Sequence, residues 1–179
     1  MNKNIARSTI KNTIKNLQNR PVMDRQIFEN VIKSNVLFGN VLLYNALPSE
    51  VDTQDLINYC LKNTKVYLPV CVENDINLVK IDKKTQYKLG LFSIKEPQGD
   101  KLKPEDVHID VCIVPLLGFD KYLNRLGKGK GYYDRLFEKL KCKKVGIAYS
   151  VQQIDQIDIE SFDKKLDMVI TEKGIIEWE

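Results

Sequence analysis

Ten consecutive residues near the middle of the chain combine glycines, cations, tyrosines and an acid: Arg125-Leu-Gly-Lys-Gly-Lys-Gly-Tyr-Tyr-Asp134. Glycines at 127, 129 and 131 allow the backbone to adopt positive φ and to bring its amide groups close to an anion. The side chains of Arg125, Lys128 and Lys130 supply cations to phosphate oxygens, and a guanidinium can make a two-pronged contact. The run therefore predicts a phosphate-binding loop.

A helix is predicted directly after this loop, over residues 132–141. Its N-terminal end adds the positive pole of the helix dipole to the loop. Asp134, in the first turn, is suited to hold a Mg²⁺ ion that bridges phosphates. The glycine spacing is Gly-x-Gly-x-Gly, which is neither a Walker A loop nor a Rossmann fingerprint. We expect an ATP-using enzyme with a phosphate loop of another type.

Histidine and cysteine chemistry is poorly supported by the sequence. His108 is the only histidine, and it precedes an apolar strand, where a surface or strand-edge position is expected. The four cysteines are scattered, with no Cys-x-x-Cys pair and no neighbouring histidine, which argues against a zinc site. We expect buried, reduced thiols at Cys60, Cys71, Cys112 and Cys142.

Composition indicates an ordinary globular protein. The 179 residues are 43% hydrophobic and carry a formal net charge of +4, which suits anionic small molecules such as nucleotides. No apolar stretch approaches the roughly 20 residues that span a bilayer, and the basic N-terminus lacks the apolar segment of a secretory signal. We expect a cytoplasmic monomer with no nucleic-acid or membrane partner.

Apolar runs and helical periodicity alternate along the chain. Strands are predicted at 41–44, 66–72, 109–117, 145–149 and 168–171, and helices at 4–19, 24–33, 132–141 and from Asp52 or Thr53 to 61. Pro69 favours a sheet edge or a strand end, and the polar residues 74–107 favour short antiparallel strands. The pattern predicts a single three-layer α/β domain over residues 1–179 with a mixed, largely parallel central sheet flanked by helices. The N-terminal helices, about 4–34, are expected to pack on this core.

The central run also resembles a family signature. Val114-Pro-Leu-Leu-Gly-Phe-Asp120, followed by the segment from Asn124 to Asp134, is similar to the signature of 5-formyltetrahydrofolate cyclo-ligase, also called 5,10-methenyltetrahydrofolate synthetase. Further segments resemble the family in the same order, so the resemblance covers nearly the whole chain. They are Lys3-Asn-Ile-Ala-Arg7, residues 43–53, Tyr67-Leu-Pro69 and residues 163–172.

The resemblance implies ATP- and Mg²⁺-dependent conversion of 5-formyltetrahydrofolate to 5,10-methenyltetrahydrofolate, with release of ADP and phosphate. The formamide oxygen would attack the γ-phosphate to give an imidoyl phosphate, and N10 of the folate would then close the ring. The protein would act by positioning and charge neutralisation, since the sequence offers no convincing nucleophile and base pair.

The resemblance also implies roles for individual residues. The ATP-binding set would be Lys3, Arg7, Arg125, Leu126, Gly127, Lys128, Gly129, Lys130, Gly131, Tyr132 and Tyr133, of which Arg125, Lys128, Lys130 and Tyr132 would be catalytic. The folate would contact Glu50, Tyr44, Lys128, Gly129, Lys130, Gly131 and Tyr132. The metal would be held by Asp134 and Asp163, with Asp167 as the alternative to Asp163. For Tyr44, packing in the core is an equally good interpretation.

Two other functions compete with the enzyme. A family relative that binds nucleotide or folate without turnover is one, but it would be expected to lose the metal-binding acids. A basic nucleic-acid module using the lysine and glycine loop is the other, and it predicts binding that depends steeply on salt.

Overall fold

The structure is a computed structural model that describes residues 2–90 and 93–177. Four α-helices lie within these described residues: α1 Lys3–Lys15, α2 Arg20–Lys33, α3 Gln54–Asn63 and α4 Tyr132–Lys139. The strands are β1 Asn40–Leu42, β2 Lys65–Val72, β3 Asp75–Ile81, β4 Tyr87–Leu89, β5 Lys95–Pro97, β6 Val111–Val114, β7 Gly118–Asp120, β8 Arg125–Leu126, β9 Lys143–Ile147, β10 Gln153–Ile154, β11 Met168–Thr171 and β12 Gly174–Glu177. No helix within these described ranges is both long and apolar enough to cross a lipid bilayer.

Seven strands form the main sheet, in the order β12-β11-β9-β6-β1-β2-β3. The five inner strands run parallel to their neighbours, whereas β12 and β3 pair antiparallel at the two edges. Side chains alternate between the two faces, because successive strand residues point in opposite directions. On β6, Val111 and Ile113 join the core on the side of α2 and α3, while Cys112 and Val114 join the core on the side of α4. The predicted three-layer α/β fold is confirmed.

The first helix packs on a second, smaller sheet. Ala6, Ile10 and Ile14 of α1 form a separate apolar cluster with Leu126 of β8 and neighbours that include Leu117 and Ile157. The small sheet has the order β10-β7-β8, and its strands β7 and β8 lie between the predicted strand 109–117 and the predicted helix 132–141. Its strands have only two or three residues, too few to show a period of two. The second N-terminal helix, α2, packs on the main sheet, against β11 and β12.

Pro21 lies in the first turn of the second helix. We predicted a start near residue 24, but α2 begins at Arg20 with Pro21 in its first turn. Proline is compatible with a first turn, because amide groups there have no partner within the helix.

Strand β2, which contains Pro69, is not an edge strand. It pairs with β1 and with β3, so the prediction of an edge was wrong for the strand as a whole. The ladder with β1 ends at the pair of Leu42 and Tyr67, before Pro69 is reached. Proline has no amide hydrogen to donate. Pro69 therefore lies in the part of β2 that no longer pairs with β1.

The cysteines are free thiols in different environments. Cys60 and Cys112 are buried, whereas Cys71 and Cys142 are partly exposed. A hydrogen bond with the Cys112 thiol lowers the pKa of Cys142, and Lys144 acts in the same direction. Burial raises the pKa of Cys60 to about 11.

Alkylation with iodoacetamide at pH 8 is therefore expected to modify Cys142 before Cys60. The thiolate is the reacting form, and a lower pKa gives a larger thiolate fraction at this pH. Peptide mass spectrometry over a time course measures the order of labelling. Earlier modification of Cys60 would contradict the described environments.

Asp120, at the end of β7, hydrogen-bonds to the β7–β8 turn and to the segment around Ile157. The side chain is fully buried and accepts four hydrogen bonds, of 2.9–3.0 Å. Oδ1 accepts from the amides of Tyr122 and Asn124, and Oδ2 accepts from Asn124 Nδ2 and from the amide of Ile157. One carboxylate thus holds the β7–β8 turn and the segment around Ile157 together.

Asp120→Asn is expected to lower the free energy of unfolding by about 2–4 kcal/mol, because one oxygen replaced by an amide group leaves two buried donors unsatisfied. At this chain length the loss corresponds to a melting temperature lower by roughly 5–15 °C. Differential scanning calorimetry measures it, with the exposed Asp155→Asn as the matched control. Equal melting temperatures for the two variants would contradict the role of Asp120.

Candidate active site

A cavity of about 830 Å³ opens at one end of the main sheet. Tyr44 and Asn45 line it just beyond β1, and Pro115, Leu116 and Leu117 line it just beyond β6. These are the carboxyl ends of neighbouring parallel strands, where ligands collect in folds of this kind. The cavity also receives residues from α1, from the glycine loop and from residues 158–163.

The glycine loop adopts the conformation expected at two of its three glycines. Gly129 has φ of 99° and Gly131 has φ of 70°, which are values that other residues rarely adopt. Gly131 is the N-cap of α4, as the predicted helix start requires. Gly127 does not have a positive φ, but a Cβ added there would lie 3.0 Å from NH1 of Arg125 and would crowd the guanidinium.

Helix α1 brings two predicted ATP-binding cations to the cavity wall. Arg7 donates from Nε to the carbonyl of Gly127 at 3.0 Å. Lys3 donates from Nζ to Glu160 and to Asp163, at 2.6 Å each. Burial lowers the pKa of Lys3, but the hydrogen bonds to Asp163 and Glu160 outweigh burial and raise it above its usual value. Lys3 therefore stays cationic at neutral pH, and on the alkaline side its ion pairs are lost as the pH rises through that raised pKa.

The guanidinium of Arg125 lies against Asp134. NH2 donates to both carboxylate oxygens at 3.1 Å, and NH1 donates to the carbonyl of Pro115 at 3.4 Å. Only 6% of the Arg125 side chain is exposed, and its Nε has no hydrogen-bond partner within the described part of the chain. We expected Arg125 to face phosphate oxygens, whereas here its NH2 is committed to the predicted metal-binding acid.

A third ion pair joins the glycine loop to the loop that follows β1. Lys128 Nζ donates to Glu50 Oε1 at 2.6 Å, and Glu50 Oε2 accepts from the amide of Leu47 at 2.8 Å. The Glu50 side chain is 8% exposed and that of Lys128 is 38% exposed. The acid predicted to bind folate and the lysine predicted to bind phosphate are therefore in direct contact.

The three pairs share one property, which is that each joins a cation predicted to bind phosphate to a carboxylate predicted to bind metal or folate. They are Lys3 with Asp163, Lys128 with Glu50, and Arg125 with Asp134. Within each pair the two charges neutralise each other, so an anion that bound to one of these three cations would have to displace its carboxylate.

The tyrosines supply walls and hydrogen bonds rather than bases. Burial raises the pKa of both Tyr44 and Tyr133 well above the usual tyrosine value, so neither ionises at neutral pH. Tyr44 is 4% exposed and belongs to the main core, yet it also lines the cavity, which makes both of its predicted roles compatible. Tyr132 donates from its hydroxyl to the carbonyl of Glu73 at 3.4 Å.

Two of the three predicted metal-binding acids reach the cavity. Asp134 and Asp163 line it, whereas Asp167 is not among its lining residues and accepts a hydrogen bond from the amide of Lys144 at 2.6 Å. Within residues 2–90 and 93–177, no group of three or more His, Cys, Asp or Glu residues is arranged to hold a metal ion. Mg²⁺ typically takes one or two carboxylates and completes its shell with phosphate oxygens and water. Asp134 and Asp163 could meet that requirement, and of the alternatives Asp163 and Asp167 it is Asp163 that lines the cavity.

Several lining residues were not predicted from the sequence. Residues 158–163 contribute Ile159 and Phe162, which are 54% and 53% exposed, and the ring of Phe162 lies 5.6 Å from Lys3 Nζ. Residues 94–96, of which Lys95 and Glu96 belong to β5, also line the cavity. In the sequence, residues 158–163 could have been singled out by two apolar residues, Ile159 and Phe162, that lie among acidic ones. Phe92, in the segment between β4 and β5, lies outside the described residues.

Comparison with known proteins agrees with this geometry. The model of the 5-formyltetrahydrofolate cyclo-ligase family matches residues 6–172. The solved structure of 5,10-methenyltetrahydrofolate synthetase from Aquifex aeolicus is similar, with a TM-score of 0.85 and 32% identity over 98% of this chain and 92% of that one. The synthetase structure from Mycoplasma pneumoniae gives a TM-score of 0.77 and 25% identity over 96% and 99% of the two chains. The 5-formyltetrahydrofolate cyclo-ligase of Escherichia coli K12 is 33% identical over an alignment of 144 residues that covers 74% of this chain and 78% of that protein. The chain thus belongs to the 5-formyltetrahydrofolate cyclo-ligase family.

Proposed function

We propose that this protein converts 5-formyltetrahydrofolate to 5,10-methenyltetrahydrofolate with consumption of ATP and release of ADP and phosphate. The observation that carries the proposal is that one cavity is lined by Lys3, Arg7, Glu50, Arg125, Lys128, Lys130, Tyr132, Asp134 and Asp163. Residues from distant parts of the chain thereby supply both phosphate-binding cations and metal-binding acids to a single space. Its volume of about 830 Å³ lies in the upper part of the range for ligand sites.

The reaction has two displacement steps. The formamide oxygen attacks the γ-phosphorus, and the bond to the bridging oxygen breaks to release ADP. N10 then attacks the activated carbon of the imidoyl phosphate and loses its proton. Phosphate leaves with the former formyl oxygen, and the five-membered ring is closed. No protein nucleophile takes part, so the residues act by orienting the reactants and neutralising charge.

The phosphate end of the site is formed by the glycine loop and α1. Lys128 and Lys130 lie on the loop, and Arg7 contacts its backbone at Gly127. Cations at these positions stabilise the negative charge that develops as phosphate is transferred. Asp134 and Asp163 would hold Mg²⁺, which when bound supplies further positive charge to the phosphate oxygens.

The folate end is formed by the loop after β1 and the apolar wall beside it. Glu50 is well buried and offers carboxylate oxygens, which suit the paired donors of an aminopyrimidine edge. Tyr44, Pro69, Ile76 and Leu116 give an apolar lining for the flat pterin ring. The two ends meet where Lys128 contacts Glu50. The formyl group would lie near this contact, within reach of the γ-phosphate.

A binding protein without turnover is the alternative function. Both acids suited to Mg²⁺ line the cavity together with the loop cations, which favours the enzyme. The monomeric state and the cytoplasmic location stay predictions.

The test is a turnover assay with purified protein, 5-formyltetrahydrofolate, ATP and Mg²⁺, followed by the near-ultraviolet absorbance of the methenyl product. We expect product only in the complete mixture, and none when ATP or Mg²⁺ is omitted. Binding of both ligands without any product would leave the non-catalytic relative as the function.

A further inference from the structure

Arg20 contacts the turn that carries Glu50, although it does not line the cavity. Arg20 is the first residue of α2, and its guanidinium makes three hydrogen bonds. NH1 donates to the carbonyl of Pro48 at 2.5 Å, and NH2 donates to the carbonyl of Glu50 at 2.7 Å. Nε donates to the hydroxyl of Tyr149 at 3.1 Å. Two of the three bonds therefore hold the turn at residues 47–50 from outside the cavity.

The other end of this contact is anchored in the core. Tyr149 is fully buried, and its hydroxyl donates to Asp24 Oδ1 at 2.6 Å. Asp24 lies one helical turn after Arg20 on α2, and the same Oδ1 accepts a long hydrogen bond of 3.4 Å from the amide of Asp52. Arg20 is bound to Tyr149, and Tyr149 is bound to Asp24. The position of the Arg20 guanidinium is therefore fixed by α2 and by Tyr149, two residues beyond β9.

The turn itself is built around the Glu50 carboxylate. The amide of Glu50 donates to the carbonyl of Leu47 at 2.9 Å, and the amide of Leu47 donates back to Glu50 Oε2 at 2.8 Å. The remaining oxygen, Oε1, is the one that reaches Lys128. Fixing the carbonyls of Pro48 and Glu50 therefore fixes the direction in which the carboxylate enters the cavity.

We propose that Arg20 is a positioning residue that sets the orientation of the Glu50 carboxylate toward the folate. The proposal rests on the proposed function, because it takes Glu50 as the folate-binding acid. It assigns no contact between Arg20 and either ligand. A lysine is not equivalent here, since one ammonium group lacks the planar fork that reaches two carbonyls and a hydroxyl at once.

The test compares Arg20→Met with Arg25→Met. Arg25 lies on the same helix and pairs with Glu29 at the surface, where both side chains are about half exposed, so it controls for loss of an α2 arginine. For Arg20→Met we expect kcat/KM for 5-formyltetrahydrofolate to fall about 10- to 100-fold, as misplacement of a binding group does. The KM for ATP should change less than about twofold, and Arg20→Lys should recover only part of the loss. Arg25→Met should match the wild type.

A double-mutant cycle tests whether Arg20 acts through Glu50. If it does, Arg20→Met should lower kcat/KM little or not at all in a Glu50→Gln background, because the orientation of that carboxylate no longer matters. Full additivity of the two losses would overturn the proposal. An Arg20→Met variant whose KM for ATP rises as much as its KM for folate would also overturn the proposal, since equal changes indicate a general structural defect.

A readout without turnover separates this proposal from the proposed function. In ¹⁵N-labelled protein, Arg20→Met should shift the amide resonances of Leu47 and Glu50 while those of Gly129 and Gly131 stay in place. Unshifted Leu47 and Glu50 resonances would overturn the positioning role even in an active enzyme. If Arg20→Met shifts these resonances but the wild-type protein fails the turnover assay, Arg20 holds the turn, whereas the proposed function and the role of Arg20 toward folate are refuted.

Discussion

Asp134→Asn is expected to lower kcat for methenyltetrahydrofolate formation by about 10²–10³-fold and to raise the Mg²⁺ concentration needed for half-maximal rate by about tenfold or more. The amide keeps the size of the side chain but removes the charge that suits Mg²⁺. The measurement is a set of initial rates over a range of Mg²⁺ concentrations at saturating ATP and folate.

Asp134→Asn also breaks the ion pair with Arg125, whose side chain is 6% exposed. Leaving that cation without its carboxylate is expected to cost about 2–4 kcal/mol of stability, so rates must be compared at a temperature where the variant is folded. Asp167→Asn is the matched control, since Asp167 lies outside the cavity and contacts Lys144. Wild-type kcat and Mg²⁺ dependence in Asp134→Asn would refute its role as a metal-binding acid.

Lys128→Met should give a second large loss, with kcat/KM for ATP about 10²–10³-fold lower. The lysine carries the charge that the loop offers to phosphate, and methionine retains only the apolar part of its side chain. The Lys128 side chain is 38% exposed, but its partner Glu50 is 8% exposed and loses its counter-ion, so rates must be compared at a temperature where the variant is folded. Steady-state rates at varied ATP, together with calorimetric titration of ATP, measure the effect.

The control for Lys128→Met is Lys121→Met, in the nearby turn between β7 and β8. Lys121 is exposed and lies 5.0 Å from the ring of Tyr122, outside the cavity lining. Losing either lysine lowers the net charge by one, so only a local effect separates the two variants. Equal kinetics in both variants would show that Lys128 does not act on phosphate.

The strands that the sequence predicts best are those whose apolar residues run without interruption. β6, β9 and β11 lie in the parallel centre of the sheet, and such strands are apolar on both faces. β8 and β10 have two residues each and form through pairing with β7. No local pattern predicts a two-residue strand, because its stability comes from the neighbour. Asp120, which fastens these pieces, was part of the recognised signature, but its four hydrogen bonds depend on tertiary contact.

The composition of the site was predictable, whereas its pairing was not. Glycine spacing, helix start and family signature indicated the loop, Glu50 and the acids, and these residues line one cavity. The partner of each cation is set by folding, as with Lys3 and Asp163, which are 160 positions apart in the chain. Arg20 was not predicted for a related reason. It donates to the backbone carbonyls of Pro48 and Glu50, and since every residue has a backbone carbonyl, the sequence does not indicate which ones accept a hydrogen bond.

The central claim is that the formyl oxygen is phosphorylated by ATP before the ring closes. A single measurement tests it: turnover of 5-formyltetrahydrofolate carrying ¹⁸O in its formyl group, with mass analysis of the phosphate released. We expect one ¹⁸O atom in each phosphate and one ADP for each methenyl product. Methenyl product accompanied by unlabelled phosphate would mean that the oxygen leaves as water, and would refute phosphorylation of the formyl oxygen.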